Sequence, residues 1–209
     1  MKISTINKFG SFALITGSLF LTIYAISFSF LLPIKEVTRD YTALVLNSNW
    51  MWIASVAFIG VILMIFGFLT LYSRMQAESG LMGFLGFLFV EIAYILQACI
   101  VTWEICLYPI IAGNQGTLFL LRDLVIKHSP IVVAFRTTAS ITIFIGVTLF
   151  CIALMQSKVF SKMAGVLIFV GALLYGLGPI LSTLPAIGGV FILSIGCLIL
   201  GKQLIRNNN

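Results

Sequence analysis

Two glutamates, Glu91 and Glu104, lie within 33 residues, Leu81 to Gly113, that carry no other charge. A carboxyl group in such an apolar stretch costs free energy unless it is paired, hydrogen-bonded or used in function. At 3.6 residues per turn, the polar and tyrosine side chains of this stretch fall within an arc of about 140°. They are Glu91, Tyr94, Gln97, Glu104 and Tyr108. The spacing predicts a polar stripe along one helix, which would form a pocket, a conduit or a packing seam.

Arg136 is the expected partner of Glu104, because an antiparallel arrangement of their two helices brings both residues to a similar depth near the outer face. A guanidinium group relieves much of the desolvation cost of a carboxylate. One interpretation is an interhelical clasp, or an Arg136 that extends to the headgroups. The other is an anion-attracting mouth with Trp103 and Tyr108 as its aromatic wall.

Glu91 has no basic residue at its depth in any expected span. A purely structural carboxyl and a carboxyl that exchanges a proton during transport both remain open. The expected ligand site thus combines the polar stripe with Trp103 and with Arg136, the expected partner of Glu104. Its seven residues are Glu91, Tyr94, Gln97, Trp103, Glu104, Tyr108 and Arg136.

Catalytic chemistry lacks several of its usual parts. His128 is the sole histidine, and the four cysteines form no C-x-x-C pair, so we expect neither a metal nor a cofactor. No nucleotide-binding fingerprint or nucleophile elbow is present. The sequence favours a protein without catalytic activity, with an intramembrane lipid-modifying enzyme that uses Glu91 or Glu104 as the remaining enzymatic alternative.

The composition predicts the element that must position these residues, which is a bundle of membrane helices. Hydrophobic residues make up 61% of the 209 and charged residues 9%, against about 25% charged in soluble domains. Runs of roughly 20 apolar residues suffice to cross a bilayer. We expect an all-α, polytopic membrane helix bundle, a single transmembrane domain over residues 1–209. Its six spans would be about 11–32, 50–72, 81–111, 137–155, 163–181 and 186–201.

The basic residues predict the orientation of this bundle. The net charge of +6 comes from Lys and Arg scattered at the ends of spans, which argues against binding to nucleic acid. Seven of them lie on one side and five on the other, which favours cytoplasmic termini. The compact layout, without a soluble domain, is typical of a small multi-pass protein of a prokaryotic plasma membrane.

Two longer outer segments, 33–49 and 114–136, are the places where an extramembrane surface would form. In the second, Leu118, Leu121, Leu124 and Val125 recur at helical spacing beside charged residues. An amphipathic interfacial helix is expected, as a lid over the bundle or as a simple connector.

One short repeat links two spans. Residues 58–63 read FIGVIL and residues 144–149 read FIGVTL. Spans 2–3 and 4–5 would then be duplicated hairpins, although residues so common in membrane helices also match by coincidence.

Together these observations predict an integral membrane protein that binds or passes a small molecule through a polar pocket between spans 3 and 4. The alternative is a non-catalytic membrane partner or assembly protein, whose stripe packs against another helix in a homo-oligomer or a complex. The bilayer itself is the expected environment of either.

Overall fold

The computed structural model describes residues 3–33, 40–181 and 183–206. Within these ranges the chain is helical and contains no strand. The helices are α1 (Ile3–Leu31), α2 (Thr42–Val45), α3 (Trp50–Cys106), α4 (Tyr108–Gly113), α5 (Phe119–Arg122), α6 (Val125–His128), α7 (Pro130–Gln156), α8 (Lys162–Leu181) and α9 (Thr183–Arg206).

Four stretches of helix are long and apolar enough to cross a membrane. They are Thr5–Leu31, Trp50–Gly113, Pro130–Gln156 and Leu184–Arg206, and a shorter apolar stretch covers Lys162–Gly176. This length and composition are consistent with a membrane protein.

Helix α3 is folded back on itself at Gly80. This glycine has φ 55° and ψ −156°, a conformation that is open essentially to glycine alone. The rings of Tyr72 and Phe87 stack with centroids 4.4 Å apart, and those of Phe68 and Tyr94 lie 5.7 Å apart. The first arm, residues 50–79, is therefore antiparallel to the second arm, residues 81–106. The spans expected at 50–72 and 81–111 leave residues 73–80 between them as a connection. The structure differs, because the helix continues to Ser79 and Gly80 alone reverses the chain.

Six helical segments form a closed ring in the order α1, first arm, second arm, α7, α8 and α9, with α9 packed against α1. Each segment is antiparallel to the next. Side chains from all around the ring fill one core, among them Leu14, Phe68, Phe150 and Cys197, which are 0 to 1% exposed. Gly80 and the α7–α8 turn lie at one end of the ring, the turn end. The short helices α2, α4, α5 and α6 lie at the other, the site end.

Buried hydroxyl groups close the ring between α1 and α9. The Ser11 hydroxyl donates to the carbonyl oxygen of Gly201 at 2.7 Å, and the Ser194 hydroxyl donates to that of Ser18 at 2.9 Å. Satisfied polar groups of this kind link apolar helices where no water can compete.

Glycines bring three pairs of helices into backbone contact. We name these contacts the glycine crossings. They are Gly17 with Gly60, Gly171 with Gly189, and the crossing at Gly86 and Gly146, where Gly86 faces the backbone of Phe150 and Gly146 faces that of Val90. A Cβ atom on Gly146 would lie 2.6 Å from the backbone nitrogen of Val90, and one on Gly189 would lie 2.5 Å from that of Tyr175. Such small residues let membrane helices approach closely.

The crossings bear on the short repeat. Gly60 of the first arm faces α1, and Gly146 of α7 faces the second arm, so each contacts the preceding segment of the ring. The two matching glycines therefore occupy corresponding places. The crossings pair the segments as first with second, third with fourth and fifth with sixth, a different grouping from the hairpins predicted from the sequence.

Candidate functional site

The site end is covered by a cap, residues 114–129, that contains α5 and α6. Leu121 and Leu124 of the cap are buried against Tyr41, Trp50 and Tyr108. The amphipathic helix expected here is interrupted, because Leu124 has a left-handed backbone with φ 58° and separates α5 from α6. The cap rests on the bundle through this small apolar core.

Beneath the cap, Arg136 and Glu104 form the ion pair that the sequence predicts. The distance from Arg136 Nη2 to Glu104 Oε1 is 3.1 Å, and the side chains are 35% and 13% exposed. The indole Nε1 of Trp50 donates to the backbone carbonyl oxygen of Glu104 at 3.0 Å. The pair links the second arm to α7 in a setting with little water, where a charged pair is strongly coupled.

Two buried tyrosines flank this pair. Tyr41 and Tyr108 are 8% and 3% exposed, and both interact electrostatically with Glu104 and Arg136. Burial, followed by the Glu104 carboxylate, raises the pKa of Tyr41 above its ordinary value. Tyr41 therefore keeps its proton and can act as a hydrogen-bond donor.

Two further tyrosines lie near Glu104 inside the ring. Tyr24 of α1 and Tyr175 of α8 both interact electrostatically with Glu104, although they lie on segments that are not its neighbours in the ring. A third, Tyr94, interacts with Cys197, Glu91 and Tyr175. The ion pair thus faces an aromatic, hydroxyl-lined interior.

Tyr175 belongs to this interior at the site end. It lies four and seven residues after Gly171 and Ile168, on the face of α8 that is buried further along the helix. Its relative exposure is nevertheless 45%. A Cβ atom on Gly176 or Gly188 would meet nothing within 4 Å. We name the region around Glu104 and Tyr175, inside the ring, the interior cavity.

Towards the turn end the interior is closed. Phe68 and Phe150 lie at 1% and 0% exposure, with ring centroids 5.2 Å apart. The crossing at Gly86 and Gly146 joins the second arm to α7 without a gap between their backbones. The interior cavity therefore ends above this level.

The structure divides the seven expected site residues. It brings Glu104, Tyr108 and Arg136 together and places Tyr94 in the same interior. Gln97 is half-buried on the second arm. The Trp103 ring packs against Phe135 at a centroid distance of 5.0 Å.

Glu91 is the residue of the stripe that lies apart. It is half-buried, and its Oε1 is buried without a hydrogen-bond partner in the part of the chain that the structure describes. On an ideal helix Glu91 points about 60° away from Tyr94. It therefore lies at the edge of the inward-facing stripe and not within the cluster around Glu104.

Sequence reasoning missed five residues of this region. They are Tyr24, Tyr41, Trp50, Lys127 and Tyr175. The sequence could have indicated Tyr175, because it lies four residues after Gly171 and therefore on the same face of α8 as that small residue. Tyr41 carried no signal, since nothing in the segment before α2 indicates a position beneath the cap.

The fold and the site define an all-helical protein with four helices long and apolar enough to cross a membrane and a largely buried ion pair at one end. Comparisons with protein-family models, curated proteins and solved structures find no match for this chain. Within the described residues, no group of three or more His, Cys, Asp or Glu side chains could hold a metal ion.

Proposed function

We propose that this chain is a six-span membrane protein that binds a small molecule in the interior cavity at the site end. The binding groups would be Glu104 and Arg136 together with the hydroxyls of Tyr24, Tyr94 and Tyr175. The observation that carries the proposal is the exposure of Tyr175, an inward-facing side chain that is 45% accessible. Ligand sites combine such concave space with a few convergent polar groups.

Electrostatics supports the same choice of site. Glu104 and Arg136 are held in one geometry by Trp50 and the neighbouring tyrosines, so they are positioned before any ligand arrives. Preorganised polar groups bind at a lower entropic cost than flexible ones. Tyrosine adds aromatic surface and a hydroxyl at each position.

Binding is favoured over passage in the conformation described. The interior is filled below the cavity by Phe68 and Phe150, so transport would require the bundle to change shape. A role in assembly is less favoured, because Tyr94 and Tyr108 are buried within the chain itself and are not free to pack against another helix.

The membrane arrangement is part of the proposal. The six segments of the ring alternate in direction, which places the first and last described residues at the same end. We propose cytoplasmic termini in a prokaryotic plasma membrane, with the cap on the outer side. The scattered lysines and arginines of the turn end support this orientation.

Cysteine labelling tests the cavity directly. In a variant without the native cysteines, Tyr175→Cys is reconstituted in lipid nanodiscs and treated with a charged, membrane-impermeant maleimide. The control is Phe191→Cys, because Phe191 is 46% exposed on the outer face of α9 and would lie in lipid. The two residues lie at similar depths, since their helices are antiparallel and cross nearby at Gly189.

We expect Tyr175→Cys to react with the charged reagent and Phe191→Cys to remain unmodified until detergent is added. Reaction of both positions with the charged reagent would show that the segments are not embedded as proposed. Reaction of Phe191→Cys alone would overturn the interior cavity, since water would then reach the outside of the ring and not its inside.

A further inference from the structure

A second, smaller pocket lies directly beneath the cap. Its lining comes from the cap, the start of α7 and the two tyrosines beside the ion pair: Tyr41, Tyr108, Leu120, Leu121, Leu124, Ile126, Lys127 and Arg136. Glu104 and the tyrosines of the interior cavity do not line it. We name it the cap pocket; it shares only Arg136 with the binding groups proposed for the interior cavity.

The charge of the cap pocket is positive. Lys127 and Arg136 both line it, and its lining contains no carboxylate. Within the described residues Lys127 forms no ion pair, whereas the neighbouring Arg122 is paired with Asp123 at 3.0 Å. One cation of the pocket is thus held by Glu104, and the other is left without an opposite charge in the described structure.

Arg136 has donor capacity to spare. Its Nη2 bonds to Glu104, but its Nε is buried without a hydrogen-bond partner among the described residues. A buried donor without an acceptor costs about 1–3 kcal/mol, so a bound acceptor would recover that free energy. The hydroxyl of Tyr108 adds one more donor at the same pocket, whereas the hydroxyl of Tyr41 is hydrogen-bonded to Glu104.

We propose that the cap pocket binds a phosphate group between Lys127 and Arg136. Donors that come from several directions suit a tetrahedral anion with many acceptor sites, and arginine is well matched to phosphate oxygens. The enclosed space of the pocket is small, about 10 Å³, against the roughly 300–1,000 Å³ of sites for whole drug-sized ligands. A phosphate group would therefore be held at the open mouth of the pocket, and a larger molecule would not fit inside.

The phosphate has two natural sources, a soluble anion or the headgroup of an anionic lipid. The apolar cap residues Phe119 and Val125 are 46% exposed each, which is the pattern of a segment lying at a membrane surface. The two sources share the same recognition chemistry, so the experiment has an arm for each.

The test measures stabilisation of the full chain in nanodiscs on heating, read from the reaction of a thiol dye with the buried Cys151 and Cys197. In one arm, inorganic phosphate replaces chloride at constant ionic strength. In the other, phosphatidylglycerol replaces part of a phosphatidylcholine bilayer. Four proteins are compared, namely the wild type, Lys127→Gln, Lys127→Arg and Arg122→Gln, all without the exposed Cys99 and Cys106.

We expect phosphate or phosphatidylglycerol to raise the unfolding temperature of the wild type, since a ligand of the folded state stabilises it. Lys127→Gln should weaken the apparent affinity at least tenfold, Lys127→Arg should restore most of it, and Arg122→Gln should leave it unchanged. A response to inorganic phosphate indicates a soluble ligand, and a response to phosphatidylglycerol alone indicates a lipid headgroup. No response in either arm overturns the proposal, as does an equal response from Lys127→Gln and the wild type.

Discussion

Adding one methyl group at Gly146 should loosen the bundle at its centre. The new Cβ of Gly146→Ala would lie 2.6 Å from the backbone nitrogen of Val90, about 0.8 Å short of the 3.4 Å at which ordinary contact begins. The obstacle is backbone, which cannot move aside as a flexible side chain can. Helix α7 and the second arm must therefore separate.

The size of the effect follows from that separation. A gap of about 0.5–1 Å forfeits a quarter to a half of the dispersion energy of each contact it affects, and overpacked cores typically lose about 1–3 kcal/mol. Alanine regains up to about 1 kcal/mol of helix propensity over glycine. We expect a net loss of about 2 kcal/mol in the free energy of unfolding.

Gly188→Ala is the matched control. Gly188 is also a helical glycine, but a Cβ there would meet nothing within 4 Å. The same substitution should therefore be neutral or stabilise by up to about 1 kcal/mol. The opposite signs separate close packing from a general effect of alanine.

The assay is unfolding in mild detergent, monitored by the reaction of Cys151 and Cys197 with a thiol dye in a protein that lacks Cys99 and Cys106. Buried cysteines become reactive as the bundle opens. The reasoning is refuted if Gly146→Ala unfolds like the wild type, or if Gly188→Ala is destabilised as much as Gly146→Ala.

Three further substitutions test other parts of the structure by the same unfolding assay. Gly80→Ala should lower the free energy of unfolding by about 1–3 kcal/mol because of the positive φ at Gly80. Its control is Gly113→Ala, equally uncrowded but with ordinary φ, which should change stability by less than about 0.5 kcal/mol. Equal stabilities of the two variants would contradict the reversal at Gly80. Arg136→Gln leaves Glu104 unpaired and should cost about 2 kcal/mol, below the roughly 3–5 kcal/mol of a fully buried pair; Glu104→Gln in the same protein should restore part of the loss, and a larger loss in the double variant would argue against the pair. Glu78 accepts a hydrogen bond from the Lys158 backbone amide at 2.7 Å, so Glu78→Gln should speed hydrogen exchange in the α7–α8 turn. The free energy of unfolding should fall by less than about 1 kcal/mol, because the contact is exposed. Unchanged exchange would show that the contact does not protect the turn.

The sequence was sufficient to predict the helical class and the pairing of Glu104 with Arg136. Apolar length predicted the place of each segment, although α1, the first arm and α7 each extend seven or eight residues beyond the expected span at one end. The rarity of charge within the spans made the partner of Glu104 easy to identify. The reversal at Gly80 escaped prediction because it depends on one backbone conformation and not on a polar loop. Residues 73–79 remain helical although five of the seven are polar.

The rest of the site depends on contacts between distant segments. Tyr41 is 63 residues before Glu104 along the chain, and its burial depends on how α2 and the cap pack together. Tyr175 comes near Glu104 only because the ring closes. Periodicity describes one helix at a time, so it identified the stripe on the second arm but not the side chains that face it.

The glycine crossings also determine how this bundle can deform. Two helices in backbone contact have no side chains between them that could change rotamer, so each crossed pair should move as one rigid body. The remaining interfaces are formed through side chains, such as the stacked Tyr72 and Phe87 between the two arms and the serine hydroxyls between α1 and α9, and they permit small sliding movements. Any widening of the interior would then proceed by shear between three two-helix blocks, along the seams between the two arms of α3, between α7 and α8, and between α9 and α1.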